Sequence, residues 1–84
     1  MENRVAMISI VVENGHEAGD LNGILHEYSE YIIGRMGLPY RNRQISLISI
    51  AIDGPADAIS ALAGKIGALP GVSAKTVYAK LEEK

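Results

Sequence analysis

An α+β fold is predicted for this chain: a four-stranded antiparallel sheet with two helices on one face, in the order β-α-β-β-α-β. Three observations predict it. The segments "RVAMISIVV" (4–12), "ISLISIAI" (45–52) and "VSAKTVYAKL" (72–81) are short, rich in β-branched residues and bounded by polar or turn residues. Two segments between them carry apolar residues at helical spacing. A glycine- and proline-punctuated stretch sits directly before the middle strand and reads as its hairpin partner. This order is the split-βαβ pattern of the ferredoxin-like class. The chain has 84 residues and no linker, repeat or low-complexity segment, so residues 1–84 are expected to form a single domain.

The first strand is apolar on both faces, with Ile8, Ile10 and Val12 on one side and Met7, Ser9 and Val11 on the other. The polar loop "ENGHEAGD" follows. Asp20 is placed to cap a helix on which Leu21, Ile24, Leu25, Tyr28 and Ile32 recur at helical spacing.

The stretch "IIGRMGLPYRNR" (32–43) holds three of the four arginines beside Gly34, Gly37 and Pro39. Pro39 suits an edge strand, where a missing N–H breaks no ladder. Gly34 and Gly37 permit a bulge or a close backbone approach. Even positions carry the heavier apolar load on the first and third strands and are predicted to face the helices. Met36, Leu38 and Tyr40 are the bulky even positions of the second strand. Placing them on that same face requires an odd-length turn, predicted as Arg41-Asn42-Arg43 with Asn42 left-handed. Arg35, Gly37 and Pro39 would then lie on the open face.

On the third strand Ile48, Ile50 and Ile52 share a side. Asp53 and Gly54 are predicted to turn the chain, with Pro55 in the first turn of the second helix. Ile59, Leu62, Ala63, Ile66 and Leu69 form that helix's apolar stripe. Gly64 and Gly67 each cost about 1 kcal/mol relative to alanine in a helix. With Ser60 they form a slim stripe for which close packing is the expected compensation. "LPGV" ends the helix. On the last strand Val77, Ala79 and Leu81 share one face, and Val72, Ala74, Thr76 and Tyr78 the other.

Helices in this arrangement protect one face of the sheet only. The other is predicted to show Met7, Ser9, Val11, Ile45, Leu47, Ser49 and Ala51, together with Val72, Ala74 and Tyr78. That is too apolar for a face left in water. A domain of this size buries only about 60% of its unfolded surface. No cysteine is present to staple it. Oligomerisation is the usual remaining aid. Met7, Ser9, Val11, Ile45, Leu47 and Ser49 are therefore expected in a homo-oligomer interface, of a dimer or a tetramer.

Composition narrows the chemistry. A formal net charge of −2 disfavours direct nucleic-acid binding, which needs a positive surface. No apolar run is long enough to cross a membrane, and the N-terminus lacks the basic start and cleavage site of a signal peptide, so a cytoplasmic protein is expected. "NGHEAGDLNG" lies between a strand and a helix, where helix N-termini hold anions. It lacks both Gly-x-Gly-x-x-Gly spacing and the Lys-Ser/Thr ending of a P-loop. Asn14, Gly15 and His16 remain candidates for holding a small ligand through backbone N–H groups. His16 and His26 form no His-x-His or His-x3-His pair, so no metal and no cofactor is expected. No nucleophile motif surrounds any serine, and no catalytic residues are assigned; a non-enzyme is expected.

Two segments carry a family resemblance: "LHEYSEYIIGRMGLPYRNRQISLISIAIDG" and "ALAGKIGALPGVSAKTVYAK", with "GRMGLPYR" and "GKIGALPGV" as their most specific parts. The chain resembles ACT-like regulatory domains, and more closely the small regulators of the iron-only (FeFe) hydrogenase system. These are relatives of the C-terminal domain of the nickel-responsive repressor. The resemblance covers nearly the whole chain. It implies a ferredoxin-like fold, assembly through the sheets and a regulatory role. It also implies a small ligand at a subunit interface, between the loop after the first strand and a neighbour's second strand. The corresponding residues are Asn14, Gly15 and His16, and Arg35, Met36 and Gly37. At the positions matching the repressor's metal ligands stand Leu38, Tyr40, Glu27 and Ser46, so a nickel site of that type is not expected. The first strand begins by Arg4, and a separate N-terminal DNA-binding segment is not expected either. The partners left open are a small molecule and a protein. The alternative reading is a ligand-free assembly or interaction protein in hydrogenase maturation.

Overall fold

A computed structural model describes residues 3–13 and 19–80 of the chain. The elements run β1 (Asn3–Val12), α1 (Gly19–Glu27), β2 (Ile32–Tyr40), β3 (Ile45–Pro55), α2 (Ala56–Gly67) and β4 (Val72–Tyr78). They form one antiparallel sheet in the order β2-β3-β1-β4. The ferredoxin-like α+β architecture follows from this order and from the two helices packed on one face.

Alternation sorts the two central strands. Even residues of β1 pair with even residues of β3, Ile8 with Ile50 and Ala6 with Ile52. All four are buried with Ile10 and Val12. The helices close this layer with Leu21 and Leu25 from α1 and Ile59, Leu62 and Ile66 from α2. Because i, i+3 and i+7 positions share a helix face, the last three form one continuous buried stripe.

Five local expectations are corrected. Helix α1 stops at Glu27, and Ile32 opens β2 instead of closing the helix; the turn at residues 28–31 returns the chain to the same core, so Ile32 still packs against it. Asp20 is not the cap but the second helical residue, where its carboxylate favours the positive end of the helix dipole. The strand does not turn at Asp53 and Gly54: β3 continues to Pro55, which precedes the helix as its N-cap residue with φ −62°. On β4, Val72, Ala74, Thr76 and Tyr78 pair with even residues of β1 and belong to the helix face. Ser73, Lys75 and Val77 therefore take the open side.

The fifth correction concerns the β2–β3 hairpin. Tyr40 pairs with Ile45, so the loop is the four residues 41–44. Gln44, not Asn42, takes the left-handed conformation, at φ 56°. An even-length loop pairs even residues of β2 with odd residues of β3. Met36 lies opposite Ser49 and Leu38 opposite Leu47, on the open face. Arg35 lies opposite Ile50 and Gly37 opposite Ile48, on the helix side. A bulge between Ile32 and Gly34 supplies the change of phase, so Ile32 pairs with Ile52 on the core side while Gly34 pairs with Ala51 on the other.

Gly64 and Gly67 face open space, and a Cβ at either would meet nothing within 4 Å among the described residues. Among the described residues, nothing supplies the expected close packing at these two glycines. In the isolated domain, Gly64→Ala should therefore raise stability by about 0.4–1 kcal/mol through the unfolded-state entropy and helix propensity of alanine. Urea unfolding checks this; a loss of stability would mean that a neighbouring surface occupies the stripe.

Candidate functional site

Two surfaces stand out once the faces are assigned. The first is the open face of the sheet. Its cross-strand rows are Gly34–Ala51–Met7–Val77, Met36–Ser49–Ser9–Lys75 and Leu38–Leu47–Val11–Ser73, with Tyr40–Ile45 beyond them. Met36 is 66% exposed, Val77 63% and Leu38 55%, and Met7, Tyr40 and Leu47 are exposed as well. Ser9, Val11, Met36, Leu38, Leu47 and Ser49 line a shallow depression of about 260 Å³. All six residues predicted for the interface, Met7, Ser9, Val11, Ile45, Leu47 and Ser49, lie on this face. The sequence reading missed Met36, Leu38 and Tyr40, which add three large, exposed side chains to it.

The second surface is the other side of β2. Helix α1 does not cover this edge strand, whose residues from Ile33 to Tyr40 are all exposed. Arg35 reaches back to α1, where its Nη2 donates a hydrogen bond to Asn22 Oδ1 at 2.7 Å. Asn22, Leu25, His26, Ser29, Ile32 and Arg35 bound a notch of about 370 Å³. The predicted open-face position of Arg35 is thus corrected, because the four-residue hairpin loop turns it toward α1.

The predicted ligand residues divide accordingly. Asn14, Gly15 and His16 lie outside the described residues. Arg35 and Gly37 face the helix side, and Met36 faces the open side. Of the positions compared with the repressor's metal ligands, Leu38 and Tyr40 lie on the open face and Ser46 on the other. Glu27 sits on α1, where its Oε1 is 3.3 Å from Lys65 Nζ of α2. The Lys65 ammonium also lies 5.1 Å from the centroid of the Tyr28 ring. Tyr28 first and Glu27 second hold the Lys65 pKa above its ordinary 10.5. This exposed clasp joins the helices and is kept at neutral pH, loosening only as pH rises through that elevated value. Among the described residues no helix is long and apolar enough to cross a membrane.

No curated protein sequence matches the chain. Among solved structures, that of an uncharacterized protein, TM1266 from Thermotoga maritima, is similar at a TM-score of 0.90 and 39% sequence identity. The match covers 94% of this chain and 100% of that one. The family model described as "TM1266-like: Iron-only hydrogenase system regulator, putative" matches residues 4–76, from the first residues of β1 through most of β4. On both findings the chain belongs to the TM1266-like family of iron-only hydrogenase system regulators.

Proposed function

We propose that this protein is a non-catalytic, cytoplasmic regulator that assembles with copies of itself through the open face of its sheet. In that assembly it senses a small ligand at the subunit interface and modulates a protein partner of the hydrogenase system. The carrying observation is the apolar open face itself. A monomer that keeps Met7, Met36, Leu38, Leu47 and Val77 in water exposes a contiguous patch of the kind that marks an interaction site. A second copy is the simplest occupant, since a two-fold axis sets the same patch against itself. Small core size supports the same reading. Family membership supports the regulatory role, and the absence of a nucleophile motif agrees with a non-enzyme.

Size-exclusion chromatography with light scattering tests the assembly. A dimer or tetramer is expected at micromolar concentration. Leu47→Glu should convert it to monomer, because burying an unpaired carboxylate is costly. A monomeric wild-type protein overturns the assembly reading. Sensing has its own measurement: a ligand that binds only the native state raises the melting temperature by mass action. A metabolite screen with no shift, together with capture of a stoichiometric hydrogenase-system protein, favours the ligand-free assembly role instead.

A further inference from the structure

The notch between α1 and β2 has a composition that no part of the assembly reading uses. Its floor is apolar, made by buried Leu25 and half-buried Ile32. Its walls are polar. Asn22, His26 and Ser29 follow one another at i, i+4 and i+7, and so rise along one side of α1 and the turn after it. Arg35 stands opposite, on the edge strand.

The hydrogen bond from Arg35 to Asn22 orients the guanidinium without neutralising it, since an amide oxygen carries no net charge. Arg35 has no carboxylate partner among the described residues, where the only ion pair is Lys65 with Glu27. Among the described residues no Asp or Glu lines the notch. Asn22 keeps its amide N–H groups, Ser29 its hydroxyl and His26 a ring N–H, so the walls are rich in donors around one unpaired cation. A planar guanidinium matches a carboxylate through two parallel hydrogen bonds. The notch volume of about 370 Å³ falls at the small end of the range for small-molecule sites.

We propose that this notch binds a small organic carboxylate. Its head group pairs with Arg35, already held in place by Asn22, and takes a further hydrogen bond from His26 or Ser29. Its short apolar body lies on Leu25 and Ile32. The site is complete within one chain and lies on the opposite side of the sheet from the open face. It is therefore a second site, separate from the interface ligand proposed above, and rests on neither that ligand nor the assembly.

The test is a titration of the full chain with sodium 2-methylpropanoate, followed by ¹H–¹⁵N correlation spectra, with sodium phosphate and sodium chloride run at matched ionic strength. Saturable shifts are expected at the Asn22 side-chain amide, at Arg35 Nε–H and at backbone amides of residues 25–35, with half-saturation in the millimolar range. Chloride should produce no saturable shift, and phosphate a weaker response, since it has nothing to lay on the apolar floor. Arg35→Gln should weaken the response about tenfold or more, while Leu47→Glu should leave it intact. Absence of saturation, an equal response to phosphate, or undiminished binding by Arg35→Gln overturns the proposal. Loss of binding in Leu47→Glu overturns its single-chain geometry. A saturable notch in a protein that proves monomeric would leave this proposal standing and remove the interface reading alone.

Discussion

A Gly54→Val variant should unfold at a markedly lower urea concentration than the wild type, with a loss of about 1–3 kcal/mol, typical of an overfilled core. Gly54 is the residue of β3 opposite Arg4, buried on the helix side. A Cβ there would lie 2.9 Å from Tyr31 Cδ1, 3.0 Å from Cγ and 3.3 Å from Cβ. The ring cannot simply swing away, because its own Cβ is among the contacts and its backbone is tied down. The Asp53 N–H donates to the Tyr31 carbonyl at 2.9 Å. Glycine is thus required here for close approach rather than for a turn. A double-mutant cycle with Tyr31→Ala isolates the cause: the double variant should lose less than the sum of the single losses. Strict additivity would sink the explanation.

Ile8→Ala should destabilise by about 2–5 kcal/mol, from lost transfer energy and the cavity left behind. Ile8 is fully buried in the central strand, between Ile50 and Thr76. Native domains hold only about 5–15 kcal/mol in total, and a chain this small sits toward the lower end, so the variant should lose a large share of its stability. Val77→Ala provides the contrast. Val77 is 63% exposed in a single chain, and its truncation should cost within about 0.5 kcal/mol if that surface stays in water. Circular dichroism during urea unfolding measures both. Equal losses at the two positions would contradict the burial pattern within one chain and point to a covered Val77.

The parts of this fold legible in the sequence are those where burial enforces a single reading. On β1 and β3 a one-residue slip would expose Ile8, Ile10, Ile50 and Ile52, so alternation there has one solution. Helix α2 is similarly constrained by Ile59, Leu62 and Ile66. Strand β2 is not. From Ile33 onward it is exposed on both sides, so no burial penalty distinguishes its two parities. Reasoning that bulky Met36, Leu38 and Tyr40 must face inward applied a core rule to an edge strand. The left-handed residue at Gln44 left no compositional trace, since Asn42 is the better former of that conformation. On β4, Val72 and Tyr78 on one side and Val77 on the other offer similar apolar loads, and only pairing with β1 separates them.

The notch was hidden for the same reason. Asn22 and Arg35 are separated by 13 positions in sequence, and no local pattern joins them. Their contact depends on the face that Arg35 occupies, which in turn depends on the hairpin parity. By contrast, the six residues assigned to the interface came from the two strands whose parity burial dictates, and all six lie on the open face.

The bulge after Ile32 has an evolutionary consequence. In an unbroken strand, residues three apart point in opposite directions. Ile32 and Arg35 are three apart, yet both turn toward α1, because the inserted residue resets the count between them. The notch therefore depends on the match between spacing and bulge as much as on residue identity. A relative that kept this three-residue spacing but paired without the bulge would turn its guanidinium to the far side of the sheet, whereas one that lost the extra residue would bring the two side chains to i and i+2 and keep both toward α1. Within such a lineage, a spacing of three has to be inherited together with the bulge and a spacing of two without it, so recognition can be lost by a change of pairing with every contacting side chain conserved.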